Sequence, residues 1–176
     1  FRVGTSWASV TPPSTVLPPT LTAAGGATVD APFIVTFTDD AAWRAAITSI
    51  TVDGTPLTAG SAVSSGQITF TPSASSPAAL LQTAATRSIV VIASGYSNAT
   101  VSQTIGAGAD NKLAMNTQPT DPLTNGGALV TQPSVFIRDQ YGNATTSTAT
   151  ITATTGAGAW TPGGNITASG VAGTAT

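Results

Sequence analysis

The sequence predicts an all-β protein: two small β-sandwich domains in tandem, preceded by a protruding N-terminal strand. Thr, Val and Ile, which favour the half-buried surface of a sheet, recur throughout the chain. Good helix formers are scarce, and Glu is absent altogether. The 18 Gly and 12 Pro interrupt the chain at short intervals, as expected of many strands joined by turns.

The composition excludes several classes of function. The formal net charge is −2 and the cations are scattered, so no basic stripe is predicted to bind nucleic acid. No apolar run approaches the roughly 18 residues of a membrane span. Charged residues make up only 7% of the chain, which favours a surface covered by neighbouring subunits or by glycan.

The N-terminal segment, residues 1–18, is predicted to be a strand followed by a stiff linker. Residues 1–10 alternate, with Phe1, Val3, Thr5 and Trp7 on one face. Two Pro-Pro pairs within residues 11–19 favour an extended connection. The strand is therefore expected to stand away from the first domain with its apolar face free.

Residues 19–106 are predicted to form the first domain, with short helices between some of the strands. Asp39 and Asp40 are placed to cap a helix over Ala41–Ala46, and Ser76-Pro77 to open one over Ala78–Ala84. The predicted strands are Thr20–Ala23, Phe33–Thr38, Ile47–Val52, Gln67–Thr71, Ser88–Ala93 and Ala99–Ile105.

Residues 107–176 are predicted to form the second domain. Residues 139–143 are predicted to form a tight turn, and residues 156–164 a loop that carries Trp160. The predicted strands are Lys112–Thr117, Ser134–Asp139, Ala149–Thr154 and Thr167–Thr176.

Three motifs of the first domain carry a family resemblance: FTDDAAWRAAI at 37–47, ITVDG at 50–54 and IVVIASGY at 89–96. Together they resemble the haemoglobin-interacting domain family, a small β-rich module repeated in large bacterial surface proteins. The resemblance covers about half of the chain. It implies a haem protein as partner and an extracellular or cell-surface location.

Two motifs of the second domain, LAMNTQP at 113–119 and VFIRDQYGN at 135–143, resemble bacterial immunoglobulin-like repeats, which build the stalks of adhesins. Such a sandwich has about 100 residues and at least seven strands. Residues 107–176 are therefore expected to lack the last strand or strands, which would leave a sheet edge unpaired.

The residue types argue against catalysis, because a chain without His, Glu or Cys cannot build the usual nucleophile–base arrangements. We predict that the protein is not an enzyme. Asp39 and Asp40 could form an acid–base pair or bind Ca²⁺, but a helix cap is the favoured interpretation. Asp139 and Asn143 could likewise ligate Ca²⁺, although stabilising a turn is favoured.

No cofactor is predicted. The resemblance suggests haem proteins as partners, yet His and Cys, the usual axial ligands, are missing. Met115, Tyr96 and Tyr141 remain, and each is expected to be a packing residue. Asn98, Asn143 and Asn165 match the N-glycosylation sequon, which also arises by chance in a chain rich in Asn and Thr.

Three functions compete. The first is a structural subunit of an extracellular filament or surface layer, in which residues 1–10 of one copy complete the open second domain of the next, head to tail. The alternative is a stalk or ligand-binding module of a large secreted adhesin. The third is an accessory domain of a secreted polysaccharide-degrading enzyme.

Overall fold

A computed structural model describes residues 15–121, 124, 127–154, 167–171 and 173–175. It confirms the all-β class, because antiparallel sheets make up most of the regular secondary structure of these residues. Residues 1–10, with Phe1, Val3, Thr5 and Trp7, lie outside the described residues, as does Trp160. We call residues 15–106 the first half and residues 107–175 the second half. The predicted domain boundaries stay a prediction.

The first half contains a three-stranded sheet of order β1-β5-β4 and a four-stranded sheet of order β3-β2-β6-β7, both antiparallel. Two short α-helices and one 3₁₀-helix (Pro72–Ala74) connect their strands. The elements are β1 (Phe33–Thr36), α1 (Ala41–Ala46), β2 (Ile47–Val52), β3 (Thr55–Pro56), β4 (Ser61–Ser64), β5 (Gln67–Phe70), α2 (Ala79–Gln82), β6 (Ala85–Ala93) and β7 (Ala99–Ile105).

Alternating apolar residues on the two sheets form one core. Phe33 of β1 stacks on Phe70 of β5 with ring centroids 5.2 Å apart, and both side chains are buried. Ile89 and Val91 of β6 are fully buried in the same cluster. Because side chains of a strand alternate between its two faces, each sheet buries one face here and exposes the other.

Helix α1 forms as predicted. The Asp40 carboxylate accepts hydrogen bonds from the backbone N–H groups of Ala42 (2.9 Å) and Trp43 (3.0 Å), which satisfies two donors that the helix itself leaves free. Trp43 is fully buried and meets the Phe37 ring edge-on at a centroid distance of 5.0 Å. The helix is therefore fixed both at its cap and through its buried face.

The second helix is shorter than predicted and strand β6 is longer. Helix α2 ends at Gln82, and β6 begins at Ala85 rather than at Ser88. From Ala85 onward β6 pairs with β7, starting opposite Ile105. The sheet pairing therefore outweighs the helix propensity of the alanines at 84 and 85.

The predicted strand Thr20–Ala23 is reduced to a single bridge between Thr22 and Thr36. Besides the two backbone hydrogen bonds of this bridge, the buried side chain of Gln103 on β7 holds the segment. Its Oε1 accepts from the backbone N–H of Ala24 (2.7 Å), and its Nε2 donates to the Ala24 carbonyl (3.0 Å). A buried amide is stable because it is paired in this way.

The second half contains a three-stranded sheet of order β12-β9-β8 and a two-stranded ribbon of β10 and β11. The predicted last strand is split between them at Gly173, which has φ of +80°. A Cβ there would overlap the carbonyl oxygen of Thr145, so only glycine fits. The strands are β8 (Lys112–Thr117), β9 (Ser134–Arg138), β10 (Thr150–Thr152), β11 (Thr167–Ser169) and β12 (Thr174–Ala175).

The described residues of the second half bury little apolar surface. Ile137 and Ala175 are its buried apolar side chains, whereas Leu113 and Met115 on β8 are each 51% exposed. Met115 is thus not a core residue. Among the described residues, no helix has the length and apolarity to cross a bilayer.

We expect Gln103→Ala to lower the free energy of unfolding by about 2–3 kcal/mol, because it leaves the backbone groups of Ala24 without partners. Urea denaturation followed by circular dichroism measures this. Gln132→Ala, at an exposed glutamine of the second half, is the matched control and should change stability by less than about 0.5 kcal/mol. Equal effects of the two substitutions would show that Gln103 does not anchor the segment.

Candidate functional site

The turn after β9 joins the two halves of the molecule, with the Asp139 carboxylate at its centre. Asp139 is fully buried. Its Oδ1 accepts from the backbone N–H groups of Tyr141 (2.9 Å) and Asn143 (2.8 Å). Its Oδ2 accepts from the Gly108 backbone (2.9 Å) and from Asn143 Nδ2 (2.8 Å). One side chain thus folds its own turn and binds the linker that precedes β8.

Asn143 carries the connection across to the first half. Its Nδ2 donates to the Gln82 carbonyl (2.9 Å), and its Oδ1 accepts from the Ala84 backbone (2.9 Å). These two backbone groups lie at the end of α2, just before β6 begins. The side-chain amide therefore supplies partners that a continued helix would have given them.

Asp30 closes the same contact from the other side. Its carboxylate accepts from the Ala109 backbone (2.6 Å) and from Gln140 Nε2 (2.9 Å). A Cβ on Gly108 would overlap this carboxylate, so the approach requires glycine. We call Asp30, Gly108, Asp139, Gln140 and Asn143 the joint.

The hydrogen bonds of the joint decide the ionisation of Asp139. Burial acts to raise its pKa, but the hydrogen bonds from Gly108, from the Asn143 side chain and from the Asn143 and Tyr141 backbones outweigh burial and lower the pKa below 3.8. Both oxygens are occupied by N–H donors, so the carboxylate is built to hold a turn and not to ligate Ca²⁺. The favoured sequence interpretation of Asp139 is confirmed.

The predicted glycosylation residues lie in different surroundings. Both amide hydrogens of Asn143 are directed at protein acceptors inside the joint, which argues against a glycan on that nitrogen. Asn98 is exposed in the turn after β6, and a glycan there stays a prediction. Asn165 lies outside the described residues.

The opposite end of the first half holds Asp39, and it does not work with Asp40 as a pair. Asp39 Oδ1 accepts from Arg44 Nε (3.0 Å) and from the Gly66 backbone (3.1 Å), and its Oδ2 accepts from Ser65 Oγ (2.8 Å). Hydrogen bonds from Arg44 and Ser65 lower the pKa of Asp39 from 3.8 to about 2. Asp40 instead caps α1, so the two carboxylates share no acid–base site.

A cleft of about 700 Å³ lies beside the joint. Small residues line it, mainly those at 106–108 and 144–149, together with Ala84 and the Asp110 carboxylate. Asp110 accepts a hydrogen bond from Ser147 Oγ. In the described part of the chain, no three acidic, His or Cys side chains come together to hold a metal ion.

The residues do not fit a ligated haem. Met115 is half exposed on β8, while Tyr96 and Tyr141 pack against the first-half core from separate turns. None of these three lines the cleft. Because the chain also lacks His and Cys, the described residues offer no converging pair of axial ligands.

Sequence reasoning found Asp139 and Asn143 as a turn but missed the joint. Its other partners are distant in the sequence: Asp30 and Gln140 are separated by 110 residues. No local pattern reports such a pairing. The glycines at 106 and 108 were the available signal, because a glycine can mark a place where backbone approaches closely.

Residues 21–106 match the family model described as heme-binding protein Shr-like, Hb-interacting domain. Over this segment the chain is similar to the Shr-like Hb-interacting domain family. The resemblance read from the sequence is thereby confirmed over just under half of the 176 residues. The immunoglobulin-like resemblance of the second half stays a prediction. No curated protein and no solved structure matches the chain.

The family overturns the predicted partner. We expected other copies of the chain, joined head to tail by Phe1, Val3, Thr5 and Trp7. A family described by its interaction with haemoglobin points to that protein as partner and not to self-polymerisation. The match also supports a binding module over an enzyme, and it places the protein at the cell surface or outside the cell, as predicted.

We expect Asp139→Ala to lower the free energy of unfolding by about 3 kcal/mol or more, because it leaves several buried N–H donors without an acceptor at once. Asp121→Ala, at an exposed aspartate in the same half, is the matched control and should cost less than about 0.5 kcal/mol. Chemical denaturation of both variants tests this. Equal stability of D139A and D121A would contradict the role of the joint.

The pH dependence of stability should be confined to acid. Asp39 has a folded pKa of about 2 against an ordinary value of 3.8, and the pKa values of Asp53 and Asp139 are also lowered. Lowered values stabilise the fold above about pH 4, and this contribution is lost as the pH falls toward 2. The chain has no His, so none of its side chains has an ordinary pKa between about 5 and 7.

Thermal unfolding from pH 2 to pH 7 measures this profile. The expected result is a constant melting temperature above about pH 5 and a steep fall below about pH 4. Asp39→Asn should be less stable at pH 7 and should lose less on acidification. A marked transition between pH 5 and 7 would contradict this assignment of the titrating groups.

Proposed function

We propose that this chain is a haemoglobin-binding module of a larger bacterial surface protein. In it, the first half (residues 15–106) contacts haemoglobin and the second half is a segment of the stalk that presents it. The observation that carries the proposal is the match of residues 21–106 to the Hb-interacting family. Among the functions predicted from the sequence, this is the stalk or ligand-binding module of a large secreted adhesin, now with haemoglobin as its ligand.

Recognition of the protein, and not extraction of free haem, fits the chemistry of the chain. The described side chains provide no ligand set for haem iron, as set out above. The cleft beside the joint is lined by small residues without an aromatic side chain that could stack on a porphyrin. A folded sandwich can instead recognise haemoglobin by surface contact.

The joint supports the stalk role of the second half. Asn143 binds the end of α2, and Asp30 binds both Gln140 and the linker at Ala109. Several hydrogen bonds to one buried turn oppose bending at the connection. A stiff connection suits a module that must be held away from a cell surface.

The proposal predicts that the 176-residue chain binds haemoglobin with a dissociation constant on the order of 1 μM or tighter, as expected of a stable protein interface. Surface plasmon resonance with the immobilised chain measures this. Free haemin, titrated by absorbance, is the matched probe and should show no ligation spectrum. The absence of haemoglobin binding at about 100 μM would refute the proposal.

A further inference from the structure

The first half has two ends, and the second half occupies one of them. The joint includes Asp30, which precedes β1, and it binds Gln82 and Ala84, which precede β6. Strands β2 and β6 run antiparallel, so the start of β2 and the end of β6 lie together at the other end, where Ile47 pairs with Ala93. Helix α1 leads into this end, because it stops where β2 begins.

Three pieces of chain form this second end: residues 16–17, helix α1 and the turn 94–97. Backbone hydrogen bonds join them, from Ser94 N–H to the Ala46 carbonyl (2.9 Å) and from Val16 N–H to the Gly95 carbonyl (3.0 Å). The Val16 carbonyl accepts from the Ser97 N–H (2.9 Å). We call these three pieces the distal end.

The distal end exposes apolar surface on a fixed backbone. Leu17 is 83% exposed and Val16 is 56% exposed. Hydrogen bonds on both sides of Val16 hold this short segment against the turn. An exposed apolar segment that is held in place can bind a partner with little loss of conformational entropy.

Helix α1, the second piece of the distal end, exposes small side chains and is held rigidly. Ala41, Ala42 and Ala45 are exposed, and their small side chains allow a partner to approach the helix closely. The helix cannot easily move, because Trp43 is buried in the core and Asp40 caps the first turn. Arg44 and Asp39 neutralise each other at 3.0 Å, which leaves the Asp40 carboxylate as the net charge of this surface.

The outer face of the four-stranded sheet differs in character. Its exposed side chains on β6 and β7 are hydroxyls, among them Thr86 and Thr104, whose hydroxyl oxygens lie 2.9 Å apart. Hydroxyl groups lose hydration when they are covered, so they favour binding less than Leu17 does.

The second half also exposes apolar side chains, but it is not the half that carries the family match. Within the matched segment, Ile34 and Val63 are 41% and 36% exposed. Both are less exposed than Leu17 and its neighbour Val16, which is hydrogen-bonded to the turn 94–97 of the matched segment.

We propose that the distal end is the surface that docks haemoglobin, through an apolar contact of Leu17 and Val16 beside helix α1. The inference rests on the proposed function and specifies its site. It follows from the family match, whose residues 21–106 include α1 and the turn 94–97 to which Val16 is hydrogen-bonded, from coverage of the opposite end by the joint, and from the exposed and fixed surface of residues 16–17 and α1.

Two substitutions test the site in the full chain. Leu17→Asp and Ala45→Arg should each weaken haemoglobin binding at least about tenfold, as expected at the centre of an interface. Leu113→Asp and Ala128→Arg make the same changes at exposed positions of the second half and should leave the affinity unchanged within about twofold. Surface plasmon resonance measures all four, and circular dichroism checks that each variant is folded.

Hydrogen–deuterium exchange of the unmodified chain gives an independent readout. Bound haemoglobin should slow exchange in residues 16–17, 41–46 and 94–97. Wild-type binding that neither distal substitution weakens, or protection found on β8 and β9 instead, would overturn the distal site and leave the proposed function intact. A wild-type chain that does not bind haemoglobin would refute the proposed function and this inference with it.

Discussion

The arrangement of the two halves depends on one buried carboxylate. Asp139 is removed from water, and a charge so placed is stable only while its hydrogen-bond donors stay in position. Those donors are the Tyr141 and Asn143 backbones, the Asn143 side chain and Gly108 of the linker. The course of the linker and the direction of β8 follow from this requirement. Asn143 then extends the same network to the first half, so that a turn of five residues determines how one sandwich continues into the next.

The same chemistry accounts for most of the few acids in the chain. Six of its seven aspartates accept hydrogen bonds from backbone or side-chain groups of the described residues. Asp53, for example, receives the Ser88 backbone and the Arg87 guanidinium. Carboxylates used in this way hold turns and caps and add little net field to the surface. A surface with so few free charges recognises a protein by shape and apolar contact more than by long-range attraction.

Much of the first half could be predicted from the sequence because its information is local. Alternation placed β1, β2, β5 and β7 closely, and the acid pair before an alanine-rich run located α1. The end of α2 could not be predicted, since it depends on β6 pairing with β7 as far as Ala85 and on an amide from Asn143. Gln103 gave no signal either, because a glutamine in an alternating strand is ordinarily exposed and only its contact with Ala24 explains its burial. The recognised family motifs pointed to the correct domain, whereas the apolar pattern of residues 1–10 led to the wrong partner.

That error has a physical cause that also bears on the binding surface. An alternating apolar strand beside a small, open domain fits strand donation, but the same pattern requires no particular partner. The apolar residues of the distal end are more strongly constrained. They are anchored by backbone hydrogen bonds to a turn that belongs to the core sandwich, so their exposure cannot be relieved by folding back without breaking those bonds. An exposed Leu17 that is held in this way lowers the solubility of the chain, and contact with a partner would cover it. Because the joint lies at the other end, such contact leaves the connection to the second half undisturbed.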